Sequence, residues 1–251
     1  MRRAIRKSIQ LFTETFEPAG PVVELGAYYT PEYQGLSNLR PFFPGREYIG
    51  CDIRRGNGVD RIEDAHHLSF DDRSVGTLLA FEILEHLRDP QLAVSEAHRV
   101  LDDNGLLAIS VPFTYRLHGF PSDYWRFTAS GVYELLSDFP DKVVCAVGPR
   151  LKPAFIFAVA SKTVSPEFTE QKAIFERRSV DEFRRSRLRG FVSVMKERGR
   201  DLFGQQGFKF GQDFIKLLDI KIRIKMPCAV SKLPCADGRH VNIFGHKKQF
   251  L

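Results

Sequence analysis

Two acidic residues and one glycine stand where they could hold a nucleoside. Glu24-Leu25-Gly26-Ala27 closes a short apolar run that begins at Val22, and Asp52 closes the next such run, 28 residues beyond Glu24. Glycine lets backbone approach a ligand closely, and a carboxylate at a strand end can accept both hydroxyls of a ribose. The spacing suits one βαβ step. Asp64 and Glu82 are further acids along the same stretch. Each acid also has a local use open to it: Asp52 can cap the turn that follows, Asp64 the short helix it precedes, and Glu24 can pair with a nearby arginine.

The elements that would position these residues alternate short apolar runs with helix-like stretches from Pro21 to about Lys162, the pattern of a parallel sheet with helical crossovers. Val22–Leu25, Glu47–Asp52 and Gly76–Phe81 read as the first three strands. Asp89-Pro90 opens a helix, with Asp89 capping the free amides and Pro90 suited to the first turn. Leu92, Ala93, Ala97, Val100 and Leu101 would share its buried face, and Asn104-Gly105 would stop it. Leu106–Val111 is then a strand, and Thr128 caps a helix through Leu136. Val143–Val147 and Phe155–Ala160 make a closing pair at the sheet edge.

In order and spacing these pieces resemble class I S-adenosylmethionine-dependent methyltransferases, most closely their type 11 domain family. The matching strings are Val-Glu-Leu-Gly (23–26), Tyr-Ile-Gly-Cys-Asp (48–52), Glu-Asp-Ala-His-His-Leu-Ser-Phe (63–70), Phe-Glu-Ile-Leu-Glu-His-Leu-Arg-Asp-Pro (81–90) and Glu-Ala-His-Arg-Val-Leu (96–101), running into Asp-Asn-Gly-Leu-Leu (103–107). The resemblance covers about Val22 to Leu136. It implies a Rossmann-like α/β fold with a mostly parallel seven-stranded sheet and an antiparallel edge. It also implies S-adenosyl-L-methionine as cofactor. Glu24, Gly26 and Ala27 would face its methionine part, Asp52 with Ile53 the ribose, and Asp64 with Ala65 the adenine edge, while Phe81 and Glu82 close the pocket. The departure lies in the glycine turn, where the family usually carries two further glycines and this chain reads Gly26-Ala27-Tyr28-Tyr29-Thr30. Tyr28 and Tyr29 must therefore swing outward or pack over the ligand.

Glu82-Ile83-Leu84-Glu85-His86 is also similar to a metal-binding motif of some methyltransferases that act on RNA ends or quinone precursors, with His118 or Tyr124 available as a further ligand. Type 11 relatives resemble it without a metal, and no metal is assigned. The string from Pro121 to Thr128, with the single Trp125, is the candidate substrate loop, its aromatics serving either to stack on an acceptor or to anchor the loop. Methyl transfer needs no nucleophilic side chain, so no catalytic residue is assigned; His86 and His118 are the bases within reach of a hydroxyl acceptor.

With 43% hydrophobic and 27% charged residues, the chain reads as an ordinary folded protein, not a disordered or fibrous one. No apolar run approaches the roughly 20 residues needed to cross a bilayer, and the expected compartment is the cytoplasm. Cys51, Cys145, Cys228 and Cys235 are scattered and read as free thiols. Three segments are expected: an N-terminal helical segment over 1–20, the methyltransferase domain over 21–162, and a basic, partly helical C-terminal extension over 163–251. The net charge of +6 comes from that extension, since residues 166–251 hold 19 Lys+Arg against 10 Asp+Glu. Its arginines alternate with acids, as on a solvated helix, so the expected partner is a small-molecule or glycan acceptor in preference to nucleic acid. A nicotinamide dehydrogenase would need the three-glycine spacing that is missing here, and a non-catalytic scaffold would bind neither cofactor.

Overall fold

The computed structural model describes residues 3–119, 122–149 and 152–183. These belong to one compact unit, Met1–Val194. Most of the expected C-terminal extension, including Cys228 and Cys235, lies outside the described residues.

The chain opens with α1 (Arg3–Phe16), whose Ile5, Ile9, Phe12 and Phe16 recur at helical spacing and are all buried. Then come β1 (Val22–Leu25), a short α2 (Gln34–Ser37), β2 (Tyr48–Asp52), β3 (Arg61–Ile62) and β4 (Val75–Phe81). Next are α3 (Pro90–Val100), β5 (Leu101–Pro112), α4 (Ala129–Leu135), β6 (Asp141–Val147), β7 (Phe155–Ser161) and a helix α5 over 166–183.

The strands form one seven-stranded sheet in the order β3-β2-β1-β4-β5-β7-β6. All neighbours are parallel up to β5; β7 runs antiparallel to both β5 and β6. Successive strand side chains face opposite layers, so Leu78 and Ala80 of β4 pack towards α3 and α4, while Leu79 and Phe81 pack towards α1 and α5. Phe12, Phe155, Phe157 and Phe175 are fully buried in the second layer. Each such side chain contributes roughly 1.5–3 kcal/mol by leaving water.

From β1 the chain works outward through β2 and β3, then returns to place β4 on the other side of β1. That reversal of direction opens a crevice at the carboxyl ends of β1 and β4, the usual place for a ligand in such sheets.

Two expectations about α3 are corrected. The helix ends at Val100 because Leu101 is already extended (ψ 139°) and pairs with Val75. Leu92 is 45% exposed, and Val94 takes its place beside Ala93, Ala97 and Val100 on the buried face. The cap itself is as expected: the Asp89 carboxylate accepts from Leu92 N at 3.0 Å, and Thr128 Oγ1 accepts from Gly131 N at 3.0 Å at the start of α4. Gly76–Phe81 belongs to the fourth strand, not the third, because the two-residue β3 precedes it. Cys51 and Cys145 are free thiols, both pushed up to about 12 by burial. No helix among the described residues is long and apolar enough to cross a membrane.

Candidate functional site

The turn after β1 is fastened to the end of β2. Gly26 adopts φ +78°, where a side chain would be strained and would meet Ile83 Cδ1 at 3.0 Å. Ala27 N then donates to Cys51 O at 2.9 Å, and Tyr29 N to Asn57 O at 3.1 Å. The two tyrosines neither swing into solvent nor fill the crevice. They lie on the Arg54–Gly58 loop that follows β2. A Cβ on Gly56 would come 2.4 Å from Tyr28 Cε2, and one on Gly58 would come 2.7 Å from Tyr29 Cε1 and 2.3 Å from Ala27 O. Arg54 covers the other side of Tyr28, its guanidinium carbon 4.4 Å from the ring centroid.

Asp52 is buried at the end of β2. Its Oδ1 accepts from Arg54 N at 2.9 Å and Arg54 Nε at 3.2 Å, so it does cap its own turn. Its Oδ2 accepts only a long 3.4 Å bond from Tyr28 N among the described hydrogen bonds. Asp64 likewise accepts from His66 N at 2.9 Å and bonds His66 Nδ1 at 2.8 Å, while Asp89 N donates to His66 Nε2. Facing a carboxylate, His66 Nδ1 carries a proton. The His66 amide beside it holds the Asp64 carboxyl below the usual carboxylate range.

Glu82 follows β4 directly with φ +55°, a conformation that costs a non-glycine residue on the order of 1 kcal/mol and clusters at functional sites. Ser110 on β5 fixes it: Glu82 N donates to Ser110 O at 2.9 Å, and Ser110 Oγ to Glu82 Oε1 at 3.3 Å.

These strand ends enclose a cavity of about 600 Å³. Gly26, Asp52, Ile53, Asp64, Ala65 and Glu82 all line it. Glu24, Ala27 and Phe81 do not. Glu24 sits behind the turn, accepting from the Tyr48 hydroxyl at 2.6 Å with the Arg40 charge nearby; burial raises its pKa to about 7. Ala27 is buried against the backbone of Gly50, and Phe81 stacks on Phe157 with centroids 5.6 Å apart. The sequence did not signal that Tyr28, Arg54, His66 and Ile83 would complete the lining. Tyr28 was visible as an oddity, but its partner Gly56 was not.

Leu25, Cys51 and Glu63 also line the cavity, and its far side comes from His86, Leu87, Arg88, Gly119, Ser122 and Tyr124. The loop before α4 is tied to the 3-10 turn Leu84–His86: Tyr124 N and Trp125 N donate to Glu85 O at 2.8 and 3.3 Å, and Trp125 Nε1 to Leu87 O at 2.8 Å. Arg126 grips Asp123 through both carboxylate oxygens and holds its carboxyl well below the usual range. Trp125 thus anchors the loop while Tyr124, about half exposed, stands at the cavity mouth.

Residues 45–109 match the methyltransferase domain model of the type 11 family. The match begins just before β2 and ends in β5, so it includes Asp52, Asp64 and Glu82 but omits the altered glycine turn. No curated protein matches the chain. Among solved structures, the Burkholderia thailandensis 1,6-didemethyltoxoflavin-N1-methyltransferase, bound to 1,6-didemethyltoxoflavin and S-adenosylhomocysteine, superposes with a TM-score of 0.51 at 18% identity, over 64% of this chain and 79% of that one. An S-adenosylmethionine-dependent methyltransferase from Archaeoglobus fulgidus gives 0.49 at 14% identity, over 64% and 95%. A possible histamine N-methyltransferase from Thermotoga maritima gives 0.47 at 19%, over 62% and 89%. The family match over β2 to β5, on a sheet of this order and direction, makes this part of the chain similar to the type 11 domain of class I S-adenosylmethionine-dependent methyltransferases.

Proposed function

We propose that the cavity at the ends of β1 to β4 holds S-adenosylmethionine and that the acceptor, a small molecule or a glycan hydroxyl, enters past Tyr124. Asp52 takes the ribose hydroxyls, Ile53 lies beside the ribose, and Asp64 and Ala65 meet the adenine edge. Gly26 brings backbone to the methionine portion, with Ala27 and Glu24 supporting that turn from behind, and Glu82 with Phe81 closes the end of β4. The observation that carries this reading is the convergence of Gly26, Asp52, Asp64, Ala65 and Glu82, from separate strand ends, on one cavity of about 600 Å³.

The charge fits the ligand. The cofactor carries a sulfonium and an ammonium group, and the lining supplies carboxylates at Asp52, Asp64 and Glu82. When bound, the cofactor supplies an electrophilic methyl group on sulfur. The protein's part is to position the acceptor about 3 Å from that carbon, in line with the breaking bond, and to exclude water. The acceptor reading rests on the mouth, where exposed Tyr124 offers an aromatic face and Arg88 and Ser122 offer donors, a composition suited to a planar or sugar-like molecule.

Isothermal titration of the full chain with S-adenosylhomocysteine tests the site. Micromolar binding that is lost in Asp52→Ala, with no response to NAD, is expected; absence of binding by the wild-type chain overturns it. Release of S-adenosylhomocysteine in the presence of phenolic or glycan acceptors tests the acceptor class, and turnover with an RNA alone would replace it.

A further inference from the structure

Glu85 is fully buried, and neither of its carboxylate oxygens has a hydrogen-bond partner. Such a group is costly to keep in an ionised form unless a cation or donor faces it. What faces it are two imidazole nitrogens, His86 Nε2 and His118 Nε2, each 3.8 Å from Oε1, too far to be hydrogen-bonded. The three ligand atoms lie within 4.8 Å of one another.

The remaining nitrogens decide which atoms are lone pairs. His86 Nδ1 is 2.7 Å from the Ser122 carbonyl oxygen, which can only accept, so the proton sits on Nδ1 and Nε2 is free to coordinate. His118 Nδ1 is buried 3.3 Å from Asp123 Oδ2, which Arg126 keeps ionised; that favours the same tautomer. A carboxylate or carbonyl behind each imidazole, with Nε2 aimed forward, is the support that orients histidines on a metal. The rings meet edge-to-face at 69° with centroids 4.8 Å apart.

We propose that Glu85, His86 and His118 form a binding site for a divalent transition-metal ion, with zinc the best match. Two imidazole nitrogens and one carboxylate oxygen suit Zn²⁺, Co²⁺ or Fe²⁺ better than Mg²⁺ or Ca²⁺. Ligand bonds of about 2.0–2.1 Å require the imidazoles to close on the ion by roughly an ångström or less. Three protein ligands leave a coordination position for water or an acceptor oxygen, and His86 itself lines the cavity. The site stands on these side chains alone and does not depend on what fills the rest of the cavity.

The full chain, stripped with chelator, is titrated with Zn²⁺ by calorimetry and with Co²⁺ by visible absorption. One equivalent is expected to bind at the cluster, with a Co²⁺ spectrum free of thiolate charge-transfer bands, and Glu85→Gln and His118→Ala should each weaken that binding tenfold or more. In the ¹⁵N-labelled wild-type chain, which needs no variant to fold, the Nε2 resonances of His86 and His118 should shift on Zn²⁺ addition while Nδ1 stays protonated. No binding, unshifted Nε2 resonances, or affinity unchanged in both variants overturns the proposal.

Discussion

The ring of Tyr28 rests on the backbone of Gly56, so closely that a single added carbon there would come 2.4 Å from Cε2. Gly56 also holds φ +153°, which an L side chain rarely adopts. Gly56→Ala should therefore push Tyr28 towards the cavity and weaken S-adenosylhomocysteine binding roughly tenfold, about 1.4 kcal/mol. A double-mutant cycle with Tyr28→Ala separates the two effects. If the ring is the obstacle, Gly56→Ala costs much less affinity in the Tyr28→Ala background; equal costs in both backgrounds would leave only backbone strain.

Asp52 and Arg54 should respond in opposite directions. Asp52→Asn keeps an oxygen for the Arg54 amide but removes the charge, and affinity for S-adenosylhomocysteine should fall between about 10- and 100-fold, as for a hydrogen bond to a charged group. The Arg54 side chain is mostly exposed and shares Oδ1 with its own amide. Arg54→Ala should therefore leave affinity within about threefold of wild type or tighten it, since solvent screens the exposed Arg54 end of the pair. Calorimetry showing Asp52→Asn unchanged would remove Asp52 from the ribose.

The α3 cap is a stability test independent of any ligand. Asp89→Ala removes the acceptor for Leu92 N and should cost about 1 kcal/mol, or roughly 2–4 °C in thermal midpoint for a domain of this size. A shift under half a degree would mean that another group takes over the cap.

Glu24 predicts the pH dependence of folding. Burial raises its pKa from 4.5 to about 7, so the folded state holds the proton more tightly than the unfolded chain. This contribution is fully present below the unfolded value and is lost as pH rises through the folded one. It amounts to at most about 3 kcal/mol. Denaturant titrations at about pH 5 and 8 should show wild-type stability falling relative to Glu24→Gln, whose amide keeps an acceptor for the Tyr48 hydroxyl. Parallel pH profiles for the two proteins would show that Glu24 stays ionised when folded.

Elements with a strong local signal were readable in the sequence: the apolar runs of β1, β2 and β4, the Asp89 and Thr128 caps, and the β6–β7 pair. The two-residue β3 was not, because two residues carry no alternation, and it exists through pairing with Cys51 and Asp52. The exposed Leu92 was misplaced because a helical face drawn by spacing alone does not say which edge the sheet covers. At the cavity, Asp52 was legible from its strand-end position and Asp64 from the family resemblance. The pairing of Glu24 with Tyr48 crosses from β1 to β2, and the support of Tyr28 and Tyr29 comes from glycines on a separate loop. Neither relation has a sequence period, since both arise from the register of the parallel sheet. The approach of His118 to Glu85 was open as one of two choices, and the backbone bonds that fold the loop onto the 3-10 turn resolve it.

The two turns that flank the cavity share a fixed amount of room. Bulk gained at Tyr28 and Tyr29 is matched by its absence at Gly56 and Gly58, so neither turn can change alone. Among descendants of this chain, bulk at position 56 should appear only where position 28 has become small, while position 58 stays glycine in either case, because a Cβ there would also meet the Ala27 carbonyl oxygen at 2.3 Å.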